Sequence, residues 1–207
     1  MSIRANLFAM TYDRQIARTE KAGLRAMRRR LLADATGQVL EIGAGTGSNL
    51  PCYGPEVESL TVTEPSVPMM RRLERKVSDR GTAAKVLRAP AEDLPFNDDT
   101  FDVAVSTLVL CGVDDQPRAV RELRRVLRPG GRLLFFEHVR SDDPARARLQ
   151  DRMNWLNRAL VMCDCNRPTL STIKQAGFTV TALEHTALPM APKFISPAIM
   201  GVATKPA

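Results

Sequence analysis

The chain has 207 residues, of which 44% are hydrophobic and 26% are charged, and its formal net charge is +7. This composition is typical of globular proteins and argues against an intrinsically disordered chain. The sequence contains neither an apolar run of about 18 residues nor a hydrophobic leader, so it predicts neither a membrane-spanning nor a secreted protein. We therefore expect a cytoplasmic protein with reduced cysteines. The four cysteines match no paired zinc motif, and we expect no metal.

Most of the positive charge lies in the first segment, residues 1–36, where eight lysines and arginines face three acids and give a net charge of +5. Apolar residues at helical spacing predict one helix over 5–32. The charge is typical of an ordinary solvated helix face, since no aromatic residues are interleaved among the basic residues of 14–30 for base stacking. Two alternatives stay open, namely peripheral contact with an anionic membrane and a basic nucleic-acid-binding protein.

Strands and helices alternate along the rest of the chain. Apolar runs predict five strands over 38–42, 59–63, 84–88, 101–106 and 132–136. Amphipathic segments predict four helices over 67–79, 116–127, 144–162 and 168–176. Two last strands, 178–184 and 199–204, have no helix between them. This order predicts one α/β domain, with a doubly wound, mostly parallel sheet and an antiparallel pair of strands at one edge.

A glycine-rich loop, Gly43-Ala-Gly-Thr-Gly47, follows the first predicted strand. Glycines let the backbone turn sharply and approach a ligand, and ligands bind such sheets at the carboxyl ends of the strands. Position 48 is serine, so the loop lacks the Gly-x-Gly-x-x-Gly spacing of dinucleotide-binding proteins. Glu41 precedes the loop, and Glu64 ends the second strand 23 residues later, where a carboxylate can accept both hydroxyls of a ribose. Acids near the loop favour a cationic cofactor over an anionic pyrophosphate.

Four segments together resemble the class I S-adenosylmethionine-dependent methyltransferases: 39–47 (Val-Leu-Glu-Ile-Gly-Ala-Gly-Thr-Gly), 91–96 (Ala-Glu-Asp-Leu-Pro-Phe), 101–102 (Phe-Asp) and 127–131 (Leu-Arg-Pro-Gly-Gly). The resemblance implies a Rossmann-like seven-stranded sheet with an N-terminal helical cover. It also implies S-adenosylmethionine as the cofactor and S-adenosylhomocysteine as its product. We expect residues 37–137 to form the cofactor-binding core and 138–207 to supply the acceptor-side helices and the last two strands.

The resemblance also assigns cofactor contacts. It places the three loop glycines beside the methionine and ribose, and it gives Glu41 the role of ordering that loop. Glu64 would hold the ribose hydroxyls, with Pro65 and Met69 near the adenine. The family often has an acid or asparagine where this chain has Pro90, so Ala91 and Glu92 are expected to make the adenine contact. The full set of predicted cofactor-side residues is Tyr12, Glu41, Gly43, Ala44, Gly45, Gly47, Asn49, Glu64, Pro65, Met69, Ala91, Glu92 and Thr107.

The second half of the chain resembles a narrower group, the mammalian alkyl-thiol S-methyltransferases, through 107–113 (Thr-Leu-Val-Leu-Cys-Gly-Val), 137–139 (Glu-His-Val) and 164–166 (Asp-Cys-Asn). Those enzymes carry a hydrophobic N-terminal anchor, which we do not find in this sequence. Residues 45–53 and 137–139 are also similar to bacterial phosphatidylethanolamine N-methyltransferases. We therefore expect methyl transfer to a small-molecule acceptor, with a thiol sulfur preferred over a phospholipid amine or a quinone or phenol.

Three residues are candidates for acting on the acceptor: His138, Cys111 and Asp164. His138 could accept a proton or could be a surface-loop histidine bonded to a carbonyl, whereas Cys111 could line the pocket or pack as a small apolar side chain. Asp164 could close the acceptor side or belong to a polar turn. A thiol has a pKa near about 8.5, so we expect no essential general base if the acceptor is a thiol. Tyr12 could cover the cofactor or simply pack, and we expect a monomer or a homodimer.

Overall fold

The computed structural model describes residues 3–207, with side chains described for 9–159 and 162–207. Its strands form one sheet in the order β3-β2-β1-β4-β5-β7-β6. The first five strands along the chain are parallel, and β7 runs antiparallel to both β5 and β6. The predicted α/β fold and its antiparallel edge pair are therefore confirmed. The strands are β1 (Gly37–Glu41), β2 (Val57–Thr63), β3 (Ala84–Leu87), β4 (Phe101–Thr107), β5 (Leu127–His138), β6 (Thr179–Ala187) and β7 (Pro197–Thr204).

Helices cover both faces of the sheet. They are α1 (Ile3–Thr19), α2 (Arg25–Leu32), α3 (Val67–Arg80), α4 (Gln116–Val126), α5 (Pro144–Val161) and α6 (Thr169–Gln175), with a short 3-10 turn at Leu50–Cys52. The prediction of one unbroken helix over 5–32 is wrong, because a π-helical turn at Glu20–Leu24 separates α1 from α2 and Gly23 adopts φ +135° within it. Only glycine adopts such a backbone conformation without strain. Among the described residues, no helix is both long and apolar enough to cross a bilayer.

Strand β5 is longer than the sequence predicts. It begins at Leu127, directly after α4, and the ladder with β4 shifts register between the partners of Phe101 and Val103. The Pro-Gly-Gly run at 129–131 accommodates that irregularity, since bulges favour glycine. At its other end β5 extends to His138, which therefore belongs to the strand and not to the loop after it.

Two apolar layers hold the fold together, one on each face of the sheet. Leu123 of α4 and Ile173 of α6 pack with Leu133 and Phe135 on one face. On the other face the layer contains Leu32, Leu73, Val103 and Phe136, from α2, α3, β4 and β5. Strands covered on both faces are expected to be almost continuously apolar, as these are.

The chain order of the strands reverses between β1 and β4. Strand β1 pairs with β2 on one side and with β4 on the other. The loops that leave the carboxyl ends of β1 and β4 therefore diverge, and a crevice opens between them. The parallel order places the carboxyl ends of β1, β2, β4 and β5 at one edge of the sheet. The predicted functional residues lie at or after these strand ends, so the fold brings them to that edge.

Candidate active site

The loop after β1 presents bare backbone to the crevice. Gly43 and Gly45 adopt φ +54° and +58°, in the left-handed region. A Cβ on Gly43 would lie 2.6 Å from Val109 Cγ1, whereas a Cβ on Gly45 would meet no atom closer than 4.0 Å. Glycine is therefore required at 43 by packing, and at 45 it leaves open space where a ligand can approach the backbone. Gly47 (φ +82°) completes the turn against Leu73.

Glu64, at the end of β2, is held in place by two backbone amides. The N–H of Gly45 donates to Oε2 and the N–H of Ser66 donates to Oε1, each at 2.8 Å. Burial raises the pKa of this carboxyl, and the two hydrogen bonds oppose that rise. Each oxygen of an ionised carboxylate accepts about two hydrogen bonds, so each keeps capacity for another donor. The fixed carboxylate fits the vicinal hydroxyls of a ribose.

A continuous cavity of about 700 Å³ runs from this loop to the ends of β4 and β5. Its volume lies in the usual range of ligand pockets. Eight of the predicted cofactor-side residues line it: Tyr12, Gly43, Gly45, Glu64, Pro65, Met69, Ala91 and Glu92. The other five are among the described residues that do not line it: Glu41, Ala44, Gly47, Asn49 and Thr107.

Glu92 also orders the loop that follows β4. Its Oε1 accepts the backbone N–H groups of Asp114 at 2.8 Å and of Asp115 at 3.3 Å. Asp115 in turn caps α4 by accepting the N–H of Arg118. A carboxylate that fixes this loop keeps the wall of the cavity in place at the predicted adenine end.

Glu41 does not line the cavity and instead supports the glycine loop. Tyr53 Oη donates to Oε2 at 2.6 Å and Asn49 Nδ2 donates to Oε1 at 2.9 Å. Burial raises the pKa of Glu41, and the bonds from Tyr53 and Asn49 together with the charge of Arg28 oppose the rise. These contacts join Glu41 to the segment directly after the glycine loop, and its role in ordering the loop stays a prediction.

Arg28 connects this network to the N-terminal helices. Its Nη1 donates to Asn49 Oδ1 and to Thr107 Oγ1, both at 2.9 Å, and its Nε donates to Glu20 at 3.0 Å. Only 3% of Arg28 is exposed. The interpretation of a solvated basic face holds for Arg29, which is exposed, but is wrong for Arg28. The π-helical turn brings Glu20 within reach of Arg28, and a pattern based on regular helical spacing does not show that contact.

Helix α1 is fastened over the glycine loop. Asp13 accepts a hydrogen bond from Thr46 Oγ1 at 2.6 Å and one from Lys76 Nζ at 3.1 Å. Tyr12 lies next to it and lines the cavity, and burial raises the pKa of its phenol although Arg28 opposes the rise. The predicted N-terminal cover is thus attached both to the loop and to α3.

The other half of the cavity contains a cluster of two thiols and an imidazole. One ligand atom from each of Cys111, His138 and Cys163 lies within 4.8 Å of the others, and all three residues line the cavity. His138 Nδ1 lies 3.7 Å from Cys163 Sγ, and Asn157 Nδ2 approaches the same sulfur at 3.4 Å. The contact between the sulfurs raises the pKa of Cys111 and lowers that of Cys163, which His138 lowers further.

His138 is 5% exposed, so the interpretation as a surface-loop histidine is wrong. Its Nε2 has no hydrogen-bond partner among the described residues. The preceding Glu137 is fully buried and accepts hydrogen bonds from Ser106 Oγ at 2.6 Å and from the N–H of Val109 at 3.1 Å. Burial raises the pKa of Glu137, and these bonds oppose the rise. Glu137 therefore joins the end of β5 to the loop after β4.

Asp164 is one of the described residues that do not line the cavity. Its carboxylate accepts hydrogen bonds from Arg167 Nη2 at 2.6 Å and from Asn154 Nδ2 at 2.8 Å. Burial alone would raise its pKa, but the contacts with Arg167 and Asn154 hold the pKa below its usual value. The backbone N–H of Asp164 donates to the carbonyl of Cys111 at 2.8 Å. Through these contacts Asp164 holds the segment that carries Cys163 against the loop that carries Cys111.

Sequence reasoning missed much of the cavity wall. Cys163 carried no signal of its own, because it becomes a neighbour of Cys111 and His138 only through the fold. The mouth is apolar and partly open, since Met162 and Met190 line it while exposing 58% and 68% of their surface. Further apolar lining comes from α1, the π-helical turn and the proline-rich segment before β7 (Ile16, Leu24, Leu188, Pro189, Ala191, Pro192 and Ile195) and from the loop after β4 (Leu108, Val109 and Val113).

The chain matches a family model described as a methyltransferase domain over residues 40–135. It is 31% identical to human thiol S-methyltransferase TMT1A over 81% of this chain and 70% of that protein. It is 32% identical to phosphatidylethanolamine N-methyltransferase of Cereibacter sphaeroides over 67% of this chain and 72% of that protein.

Solved structures agree on the fold. An S-adenosylmethionine-dependent methyltransferase of Thermotoga maritima, a possible histamine N-methyltransferase, superposes with a TM-score of 0.73 over 97% of both chains. At 23% identity that likeness concerns the fold alone. The glycine loop and Glu64 follow β1 and β2 at the edge of the sheet where the strand order reverses, which is where ligands bind sheets of this kind.

Proposed function

We propose that this chain, which belongs to the class I S-adenosylmethionine-dependent methyltransferases, methylates the sulfur of a small, partly apolar thiol. The observation that supports the thiol is the composition of the cavity. One end carries a fixed carboxylate and bare backbone, and the other carries two sulfurs and an imidazole behind an apolar mouth. Both ends belong to one continuous space, as a direct transfer between two bound molecules requires.

The residues of the cofactor half fit S-adenosylmethionine, which supplies a methyl group on a positively charged sulfur. Glu64 would accept the ribose hydroxyls, since its carboxylate is already oriented by Gly45 and Ser66. The backbone at Gly45 leaves open space for the methionine portion. Met69, Pro65 and the loop ordered by Glu92 would hold the adenine.

The acceptor half favours a thiol over an amine. Recognition of a cationic amine would call for a carboxylate or an aromatic face. The lining residues around the thiol cluster, Cys111, His138, Asn157, Met162 and Cys163, carry no carboxylate, and Asp114 on the same wall is exposed and pairs with Arg158. Tyr12 supplies the one phenol or indole ring among the described lining residues. A thiol is partly ionised at neutral pH, so the protein must mainly hold the sulfur in line and exclude water. Met162 and Met190 suit an alkyl chain on that sulfur, because methionine adapts to varied apolar partners.

The test is a competition among acceptor classes. The purified chain is incubated with S-adenosylmethionine and, in turn, with alkyl thiols, phosphatidylethanolamine vesicles and a quinol, and release of S-adenosylhomocysteine is measured. The proposal predicts turnover with thiols that Glu64→Gln reduces at subsaturating cofactor. Glu58→Gln serves as the matched control, because it makes the same change on the same strand, at an exposed position that is not among the cavity-lining residues. Absence of turnover with every thiol, alongside turnover with another class, contradicts the proposal.

The second candidate acceptor is the amine of a phospholipid. The 32% identity to the Cereibacter sphaeroides enzyme favours it, as does the apolar mouth, which would also accept a lipid chain. The basic residues exposed on α2 provide an attraction for anionic lipid. The vesicle arm of the competition distinguishes this candidate from a small thiol.

A further inference from the structure

We propose that Cys111, His138 and Cys163 bind a zinc ion with an open fourth position on the cavity, and that the acceptor thiol takes this position. The inference rests on the proposed function for the identity of the fourth ligand, but the metal site stands on its own geometry. Neither the spacing of residues along the sequence nor the names of the relatives suggest a metal in the acceptor half of the cavity.

The spacing of the three groups suits tetrahedral zinc. With Zn–S near about 2.3 Å and Zn–N near about 2.0–2.1 Å, ligand atoms in a tetrahedral site lie roughly 3.6–3.8 Å apart. His138 Nδ1 and Cys163 Sγ are 3.7 Å apart, and all three ligand atoms fall within 4.8 Å of one another. Thiolate and imidazole are also the ligand types that select zinc over magnesium or calcium.

The three ligands come from separate elements that other contacts hold in place. Cys111 lies in the loop after β4, where its carbonyl accepts the N–H of Asp164 at 2.8 Å. Cys163 follows α5, and Asn157 Nδ2 donates to its carbonyl at 2.7 Å as well as approaching its sulfur. His138 ends β5. Hydrogen bonds that fix the segments carrying the ligands are typical of metal sites.

The imidazole provides a second indication. It is buried, yet Nε2 has no partner among the described residues and Nδ1 has only the long contact to Cys163. Buried polar atoms without partners are rare and often mark an ion or a catalytic role. Because the 3.7 Å spacing assigns Nδ1 as the ligand, an ion would give this buried ring a strong partner in place of the long contact to Cys163, but it would not supply a partner for Nε2.

Three protein ligands leave one position for substrate, as in catalytic zinc sites. The acceptor thiol would displace a water molecule, lose its proton to solvent and bind as a thiolate. A sulfur lone pair then forms the new C–S bond to the methyl carbon. The old C–S bond breaks with its electron pair on the cofactor sulfur, which gives neutral S-adenosylhomocysteine. The methylated sulfur, now an uncharged thioether, is a weaker ligand, so the product leaves and water returns.

The direct test measures metal content and spectrum on the full-length protein. Purified under reducing conditions, it should contain close to one zinc per chain by elemental mass spectrometry. Replacement by Co²⁺ alone should give the visible bands of a tetrahedral ion and a near-ultraviolet thiolate-to-cobalt band. Cys111→Ser and Cys163→Ser should each weaken metal binding at least roughly tenfold. Cys165→Ser is the matched control, since Cys165 is buried nearby but lies outside the cluster.

Each outcome decides for or against the site. The zinc site would be overturned if Cys163→Ser and Cys165→Ser lowered the metal content equally. A cobalt spectrum without the thiolate band would also overturn it. A reduced, zinc-supplied protein that contains no zinc would do the same. Addition of an alkyl thiol to the cobalt protein should shift the thiolate band. If zinc binds but no thiol is methylated, the metal site stands and the proposed function fails. If zinc-free protein methylates thiols at an undiminished rate, the metal proposal fails and the function stands.

Discussion

Replacement of Glu64 by glutamine tests the cofactor half of the cavity. The substitution keeps the side-chain volume, but the amide can accept only one of the two backbone N–H groups, from Gly45 and Ser66, that the carboxylate accepts now. It also removes the charge that would strengthen a bond to a ribose hydroxyl. A hydrogen bond to a charged group contributes about 1.5–3 kcal/mol, so the loss of one such bond should weaken binding by about 10- to 150-fold.

The assay is isothermal titration of S-adenosylhomocysteine into the wild-type protein, Glu64→Gln and the control Glu58→Gln. A parallel titration with the 2′-deoxyribose analogue separates contact from loop disorder. In the wild-type protein the analogue should bind more weakly than S-adenosylhomocysteine, since it lacks a hydroxyl that Glu64 would accept. In Glu64→Gln the two ligands should bind almost equally, because the carboxylate that accepts this hydroxyl is already lost. An unchanged dissociation constant in Glu64→Gln, or an equal penalty for the analogue in both proteins, would refute the ribose assignment.

Three further predictions concern stability and the loop. Arg28→Met should lower the free energy of unfolding in urea by about 3–5 kcal/mol, since it leaves a buried acid unpaired, whereas exposed Arg29→Met should change it little. Hydrogen bonds hold the pKa of Asp102 below its usual 3.8 although burial alone would raise it. Its stabilisation is therefore present above pH 3.8 and is lost as pH falls through the lower folded value, so acid titration of Asp102→Asn should show a shallower loss than wild type. Gly43→Ala should lower the melting temperature more than Gly45→Ala, because only the former meets a side chain at 2.6 Å, while calorimetry should show that Gly45→Ala weakens cofactor binding.

The local parts of the fold and site could be predicted from the sequence. The strand, glycine loop and Glu64 lie close together in the chain, and their roles follow from glycine geometry and from where parallel strands end. His138 and Cys111 could also be selected, because His138 ends β5 and Cys111 follows β4 at the same edge of the sheet. The antiparallel edge pair was predictable since no helix separates the last two strands.

The remainder depends on contacts between distant segments. From helical spacing alone, Arg28 is predicted to be an exposed charge. The π-helical turn at Gly23 explains why it is instead buried beside Glu20. Cys163 lies 52 residues from Cys111 in the chain, so no spacing rule joins them. Asp164 has the residue type of a catalytic group, but its carboxylate is engaged by Arg167.

The atom that receives the methyl group distinguishes a thiol methyltransferase from a phospholipid one. The most direct measurement uses S-adenosylmethionine with a deuterated methyl group, an alkyl thiol and a phospholipid amine in one reaction, followed by mass spectrometry of the products. We predict a deuterated methyl thioether as the main product. Labelled methyl on the amine alone, with the thiol recovered unchanged, would contradict it.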